Sequence, residues 1–180
     1  RSIAFKLNLA RGFRAPSLAE LSSNGAHEGT NLYEIGNPSL KSENSIQADG
    51  GFELNTEHIT LGAGLFFNNV NHFIYYKKLL NQAGTDSIMV DPDSGNLLNV
   101  FRFDQQSASL YGVEFNMDIH PHPLDWLHFE NTFSLTHARF KHAIDGSDHV
   151  PNIPAARLVS QLKGNFLPHG DVLRNIYLSL

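Results

Sequence analysis

Histidine is the residue type in this chain with the widest range of possible chemistry. The ten histidines are spread over stretches that have the composition of loops and turns. A neutral imidazole can ligate zinc or the iron of haem. A lone histidine, His27, lies near the middle of a long connecting segment. There it either contacts a ligand or hydrogen-bonds the Asn24-Gly25 turn and holds the loop.

The other histidines lack a ligand spacing motif. His120 and His122 would share one side of a strand, but they lie in the proline turn that ends at Pro123, so we predict structural roles for them. Three more flank a later connection and could join His27 from across a binding mouth: His137, His142 and His149.

The absence of a catalytic motif, the lack of cysteine and the charge balance argue against several classes of function. No stretch places a nucleophile beside a base in a frame such as Gly-x-Ser-x-Gly, so we predict that the chain is not an enzyme. It contains no cysteine, which excludes disulfides and thiolate metal clusters. The net charge of −5 and the pI of about 6.0 come without a basic stripe, so we predict no nucleic-acid partner.

The segment Ala10–Glu43 carries His27 and connects two strand-like runs. Connections of this length are usually binding loops, lids or disordered segments. Six apolar residues argue against disorder here: Phe13, Leu18, Leu21, Leu32, Tyr33 and Ile35. We expect a structured loop with a short helix after Pro16, with the proline at its first position.

Alternating apolar and polar residues predict antiparallel β-strands. The predicted strands are Ser2–Arg11, Asn44–Thr56, Ile59–Tyr75, Ser107–His120, Trp126–Phe140, Ala155–Phe166 and Val172–Leu180. Their connections alternate in length. The long ones cover about residues 12–43, 76–106 and 141–154, and the short ones lie at Asn55–His58, at about residues 121–125 and at Leu167–Asp171.

This sorting of connections is typical of an up-and-down barrel in the outer membrane, which has long loops outside and short turns on the periplasmic side. In the first four strands, the face that carries Leu7, Phe67 and Phe115 lacks charged residues. Lys6, Glu114 and the other strand charges fall on the opposite face, as a lipid-facing exterior requires. A soluble all-β interaction or carbohydrate-binding module also keeps one face apolar, and it is the alternative.

Three patches of sequence resemble the barrel domain of TonB-dependent outer-membrane receptors. The first comprises Phe13-Arg14-Ala15-Pro16 followed by Asn37-Pro38-Ser39-Leu40, similar to the family's "FRAP … NPxL" loop. The second is Leu110-Tyr111-Gly112-Val113-Glu114, which looks like a later barrel strand. The third, Pro151-Asn152-Ile153-Pro154-Ala155, resembles a proline-bearing entry to a strand.

The resemblance implies a fold, a function and partners. The fold would be all-β, with about seven antiparallel strands forming part of a large outer-membrane barrel, and residues 1–180 would be one partial barrel domain. The intact protein would capture a scarce nutrient at its extracellular loops for TonB-energised uptake. The partners would be outer-membrane lipid, the nutrient ligand and the TonB complex, reached through an N-terminal plug that this chain does not include.

The resemblance also points to individual residues. Receptors for haem in this family carry a ligand histidine between the two boxes, and zinc receptors have a similar loop, so His27 is the candidate metal or haem ligand. Arg14 and Tyr33 are the other candidate ligand-binding residues, although Arg14 and Glu34 could instead be charges that fix the loop. We expect no resident cofactor; haem, an iron chelate or zinc would be cargo.

The chain starts and ends within strand patterns, so we expect it to be a fragment of a larger protein. A cut barrel exposes two strand edges with unpaired backbone groups. We therefore expect the isolated fragment to self-associate through its edge strands.

Overall fold

An antiparallel sheet forms most of the computed structural model, which describes residues 1–27, 29–166 and 176–180. Its main path is β1-β4-β5-β7-β8-β10-β11, which confirms the predicted all-β fold of about seven antiparallel strands. The elements are β1 (Ser2–Arg14), α1 (Leu18–Ser22), β2 (Asn24–His27), β3 (Leu32–Ile35), β4 (Glu43–Asn55), β5 (Ile59–Lys78), β6 (Ile88–Val90), β7 (Leu97–Ile119), β8 (Leu127–Ile144), β9 (Ser147–His149), β10 (Arg157–Phe166) and β11 (Ile176–Ser179). No helix in the described ranges is long and apolar enough to cross a membrane.

Several strands extend further into the long connections than the alternation predicted. β5 continues to Lys78 and β7 already begins at Leu97, so the second connection is shorter than predicted and covers residues 79–96. It contains the short strand β6. β8 continues to Ile144, and β9 returns along it. The predicted turn Leu167–Asp171 and the start of the predicted strand Val172–Leu180 lie outside the described residues.

Cross-strand pairing sorts the side chains of the sheet onto two faces, because directly paired residues point the same way. Phe5 pairs with Phe52, and Leu7 with Gly50, on an apolar face where the side chain of Leu7 is 88% exposed. On the other face Lys6 Nζ lies 2.5 Å from Glu53 Oε1, and Asn8 donates to Asp49 across 3.0 Å. A groove of about 510 Å³ opens on this polar face, which is therefore the concave one.

A β-bulge in β5 corrects one predicted side-chain orientation. The pairing of β5 with β7 shifts between Val70 and Phe73, and His72 takes a left-handed φ of 59°. An extra residue in one strand reverses the alternation beyond it. Unbroken alternation in the predicted strand Ile59–Tyr75 puts Phe73 on the apolar face with Phe67; this prediction was wrong, because Phe73 packs with Phe140 on the concave face.

A row of cross-strand neighbours divides the sheet: Arg11, Ile46, Asn69, Ser109 and Arg139. We call it the boundary row. The part of the sheet on its short-turn side is the barrel half, and the part on the long-connection side, together with those connections, is the rim half. The buried apolar residues among the described positions all lie next to this row or in the rim half. The rim half thus has a packed interior of its own.

Two clusters form that interior, on opposite faces of the extended β5–β7 ladder. On the concave face, Ala108, Ala138 and Phe140 pack with Val150, which follows β9. On the other face, Ile74 and Phe103 pack with Leu40 of the first connection. The first and third connections therefore pack on opposite faces of the ladder, and this packing holds the residues of these connections in place.

Candidate ligand-binding rim

The first connection starts with a capped helical turn. Ser17 is the N-cap of α1: its Oγ accepts from the backbone N–H of Glu20 at 3.2 Å, and Glu20 Oε2 accepts from the N–H of Ser17 at 2.6 Å. This reciprocal pair is a capping box. Pro16 precedes the cap, so our prediction of proline at the first helical position was wrong by two residues; the serine hydroxyl is the better cap because it can accept a hydrogen bond.

Arg14 joins three elements of the rim half. Its Nε and Nη2 donate to both carboxylate oxygens of Glu43, at 2.8 and 2.9 Å, and its Nη1 donates to Glu20 at 2.9 Å. These groups lie three residues beyond the boundary row. Hydrogen bonding to Glu43 is the main cause that holds the pKa of Arg14 well above its usual range. The contacts of Arg14 favour a loop-fixing role over ligand contact.

Glu43 also satisfies a backbone donor beside the bulge. Its Oε1 accepts from the N–H of Ile74 at 2.7 Å. Burial alone would raise the pKa of Glu43, but the hydrogen bonds from Arg14 and Ile74, together with the charge of Arg14, outweigh it and hold the pKa below its ordinary value of 4.5. The carboxylate therefore stays ionised and keeps the helix, β4 and β5 together.

His27 ends the first strand of a hairpin, β2–β3, whose second strand extends the sheet by pairing parallel with β7. Its side chain is 58% exposed, and its Nδ1 lies 3.3 Å from Thr30 Oγ1 and 3.9 Å from Glu34 Oε1. Glu34 is the buried member of this group, with 4% of its surface exposed. Nδ1 is thus oriented by the loop itself, and among the described residues Nε2 has no hydrogen-bond partner.

Tyr76 holds the buried carboxylate of Glu34 in place. Its hydroxyl donates to Glu34 Oε1 at 3.1 Å, and the hydroxyl of Thr30 donates to the same oxygen at 3.2 Å. Burial, with the hydrogen bond to Glu34, raises the pKa of Tyr76 to about 12. Tyr76 therefore remains a donor throughout the physiological range. His27 Nδ1 reaches this carboxylate through the hydroxyl of Thr30, and a polar partner on Nδ1 is what orients an imidazole ligand toward a metal.

The groove beside His27 also has carboxylates on its wall. It has a volume of about 380 Å³ and is lined by His27 and Asn31 from the first connection and by Asp91, Asp93 and Asn96 from the second. Asp91 accepts from the hydroxyl and backbone N–H of Ser94, and the hydroxyl bond is the main cause that lowers the pKa of Asp91. Imidazole and carboxylate groups both suit a metal cation, but in the described ranges His27, Asp91 and Asp93 do not come close enough together to form a metal-ligating group.

The remaining predicted ligand residues are placed elsewhere. Tyr33 turns back onto its own hairpin, where its hydroxyl lies 3.3 Å from Asn24 Oδ1. His137 and His149 pack edge to face with ring centroids 5.9 Å apart, and Arg139 donates to His137 Nε2 at 3.1 Å. None of these lines the groove beside His27.

One group of possible metal ligands at the short-turn end of the sheet was not predicted from the sequence: Asp118, His120 and His128. The available signals were the Asp-x-His spacing at the end of β7 and a histidine early in β8. Only the strand register shows that they meet.

A family model described as the β-barrel of TonB-dependent receptor-like proteins matches residues 2–173. The chain belongs to the TonB-dependent receptor β-barrel family. The match covers nearly the whole sheet. It assigns the chain to the receptor family and not to the alternative, a soluble interaction or carbohydrate-binding module.

Solved structures of TonB-dependent receptors share the fold. The copper transporter OprC superposes with a TM-score of 0.66 at 15% identity, over 90% of this chain and 22% of that chain. The hemophore receptor HasR of Serratia marcescens, in complex with its hemophore HasA and heme, gives 0.59 at 18% identity, over 91% and 27%. The siderophore receptor PirA from Acinetobacter baumannii gives 0.56 at 16% identity, over 91% and 24%. The chain therefore spans about a quarter of the length of these receptors.

The first of the three family patches lies at the base of the rim half. Asn37 Oδ1 accepts from the N–H of Ser39 at 3.0 Å, and the N–H of Asn37 donates to the carbonyl of Glu20 at 2.8 Å. Leu40 is buried against Ile74, whereas Phe13 stays 73% exposed at the sheet edge. The patch thus ties α1 to the sheet.

A glycine just before Asn37 allows this close packing. A Cβ at Gly36 would lie 2.5 Å from the backbone nitrogen of Ser22 and 2.6 Å from that of Ser23. The N–H of Gly36 donates to the carbonyl of Ser23 at 2.6 Å. Only glycine fits between β3 and the end of α1.

The second family patch lies in the barrel half. At Gly112, the ring of Phe66 and the carbonyl of Leu135 occupy the space where a Cβ would be, at 2.5 and 2.4 Å. Glu114, two residues on, lines the grooves of the concave face. These positions shape the polar interior of the barrel and lie away from the groove beside His27.

Proposed function

We propose that this chain is part of the barrel of an outer-membrane receptor that takes up an iron chelate, haem or a metal ion. The observation that carries the proposal is the family match over residues 2–173, on a sheet whose apolar face is exposed and whose polar face is concave. The exposed apolar face would contact outer-membrane lipid. Uptake would be energised by the TonB complex, acting through a plug domain outside this chain.

The rim half is the cargo-capturing part in this proposal. It has a packed interior of its own, so its loops can hold a binding surface in place above the membrane. Three proteins that share the fold are a copper transporter, a siderophore receptor and a hemophore receptor in complex with its hemophore and heme. Cargo that contains or carries a metal ion is therefore our choice for this chain.

His27 is the proposed ligand residue. It is exposed, its Nδ1 faces Thr30 and Glu34, and its groove also contains Asp91 and Asp93. Such an imidazole presents Nε2 to haem iron or to zinc at little orientational cost. Arg14 and Tyr33 make contacts that hold the loop, and we propose for them an indirect part in binding.

The test is a growth assay with the full-length receptor in cells that depend on it for haem, zinc or an iron chelate. His27→Ala should abolish growth on the relevant source while surface expression stays unchanged. His142→Ala, at an exposed histidine near the end of β8 that does not line the groove beside His27, is the matched control and should behave as wild type. Reduced expression or a mild general loss of uptake in His27→Ala would instead assign His27 to holding the loop. Full uptake by His27→Ala would remove it from the binding site.

The orientation in the membrane has its own test. Single cysteines at Ala83 and His142 should react with an impermeant thiol reagent on intact cells, because both lie in the rim half. Cysteines at Glu57 and Leu124, in the short turns, should react only after the outer membrane is opened. Labelling of the second pair on intact cells would reverse the proposed orientation.

A further inference from the structure

Three metal-ligating side chains meet on the concave face at the short-turn end of the sheet. Asp118 pairs with Glu130 and Ile119 with Phe129, so the next position, His120, lies opposite His128. Asp118 Oδ2 is 2.9 Å from His128 Nδ1 and 3.6 Å from His120 Nδ1. One donor atom from each residue falls within 4.8 Å of the other two. The side chains are about three-quarters buried, with 22% to 28% of their surface exposed.

A backbone contact fixes which nitrogen of His120 is free. His120 Nε2 lies 2.8 Å from the carbonyl oxygen of Glu57 in the β4–β5 turn. A carbonyl can only accept, so Nε2 carries the hydrogen, and in a neutral imidazole Nδ1 then bears the lone pair. That lone pair faces the Asp118 carboxylate.

Two acceptor atoms of this group therefore lack a donor, although Asp118 Oδ2, which is 3.6 Å from His120 Nδ1, contacts His128 Nδ1. Among the described residues, His120 Nδ1 and Asp118 Oδ1 are buried and have no hydrogen-bond partner. The neighbouring His58 also has a buried, unpartnered Nδ1, and its ring centroid is 6.4 Å from that of His120. Unpartnered polar atoms of this kind are rare in native proteins and call for an explanation.

We propose that Asp118, His120 and His128 bind a divalent transition metal of the zinc class. Zinc bonds of about 2.0–2.2 Å in tetrahedral geometry place two ligand atoms roughly 3.3–3.6 Å apart. The separation of Asp118 Oδ2 from His120 Nδ1 already has this value, and that from His128 Nδ1 needs to open by a few tenths of an ångström. The metal replaces the proton shared by Asp118 and His128.

The surroundings supply the outer contacts that such a site needs. The carbonyl of Glu57 orients His120 in the way that backbone carbonyls orient metal-ligating histidines. Lys163 pairs across from His128, but its Nζ lies 3.7 Å from Glu130 Oε1 and so has a carboxylate partner outside the group. The fourth coordination position remains for water or for His58. The bound metal would join the β4–β5 turn to the β7–β8 hairpin.

This site does not depend on the proposed cargo. The test uses the full-length receptor, purified in detergent and stripped of metal, with His27→Ala as the background so that any cargo site at the other rim is disabled. Zinc titration of this His27→Ala receptor by calorimetry should show one tight zinc site. Asp118→Asn, His120→Gln and His128→Gln should each weaken that site by more than the roughly 10–100-fold that loss of an outer contact costs. His142→Gln is the matched control, and its zinc affinity should be unchanged.

Two spectroscopic readouts keep the proposal falsifiable if a variant folds poorly. Cobalt(II) added to the His27→Ala receptor should give ligand-field bands of a four-coordinate nitrogen and oxygen site. Zinc X-ray absorption should show two imidazole ligands. Absence of imidazole scattering from the bound zinc, or unchanged affinity in both His120→Gln and His128→Gln, would overturn the site.

Discussion

The barrel half and the rim half of this sheet are built from the same alternating strands, but their apolar side chains have different surroundings. In the barrel half, Leu7, Leu65 and Leu158 are 88%, 64% and 69% exposed. In the rim half, Val100, Phe103 and Phe140 are 4%, 6% and 6% exposed. The strands continue without a break from one half to the other.

This difference shows that alternation alone does not make a core. In the barrel half one face has no protein partner, and in the proposed membrane setting lipid takes that place. In the rim half, water surrounds the ladder, so both faces must be covered by protein. The first and third connections do this, from opposite sides.

Replacing a large apolar residue should distinguish the halves most strongly. Phe140→Ala removes a ring packed 4.6 Å from that of Tyr75, centroid to centroid, and a buried Phe→Ala change costs about 3–5 kcal/mol. Phe67→Ala, at a side chain that is 50% exposed in the barrel half, should cost far less because lipid chains fill the space. Protease resistance of the rim loops in the membrane-embedded receptor would measure both. Equal losses would remove the distinction between the halves.

An added positive charge should be costly on the apolar face of the barrel half and tolerated on its concave face. Phe115→Lys places a cation on the apolar face of the barrel half, where the cost at mid-membrane is about 2–4 kcal/mol. Glu114→Lys introduces the same residue one position away on the concave face and should assemble far better. The measurement is the folded fraction in outer membranes, read from heat-dependent mobility on gels. Equal tolerance would indicate that this face does not meet lipid.

The close contact at Gly36 predicts a smaller effect that is confined to the rim half. Gly36→Ala would force β3 away from α1, and overpacking of this kind costs about 1–3 kcal/mol. Cleavage within the first connection should increase while the gel mobility of the barrel stays unchanged. Gly25→Ala in the same hairpin is the control, because nothing lies within 4 Å of a Cβ there. A barrel defect in Gly36→Ala would show that the two halves fold together.

Acid should loosen the rim half with the smallest effect of the four. The pKa of Glu43 is lowered in the folded state, so its contribution to stability is fully present above the ordinary value of 4.5 and is lost as the pH falls through the folded value. Protease sensitivity of the first connection should rise as the pH falls below about 4.5. Glu43→Gln should be more sensitive at pH 7 and should lose most of this pH dependence. A wild-type profile in Glu43→Gln would assign the acid response to other groups.

The long strands were predictable because each one carries its own period-2 signal. Leu7, Phe52 and Phe115 fall on the predicted face. The bulge at His72 was not predictable, because Asn71 and His72 fit either an extended or a bulged strand locally. Its effect on Phe73 follows only from the partner register.

The candidate sites divide in a similar way. His27 could be singled out from sequence because its signal is local to one connection. The orientation of its Nδ1 depends on Glu34 and Tyr76, which are 42 residues apart and meet only through the pairing of β3 with β7. The group of Asp118, His120 and His128 likewise requires the turn length that sets the register of β7 and β8.

The bulge in β5 also has an evolutionary consequence. The bulge reverses which side chains point to the concave face. The face taken by each β5 residue beyond His72 is therefore set at the bulge and not by the alternation in the barrel half. Insertions and deletions at the base of the rim can be absorbed by gaining or losing such a bulge. In the receptor that we propose, the loops that bind cargo would therefore be able to diversify while the barrel strands keep their sequence pattern.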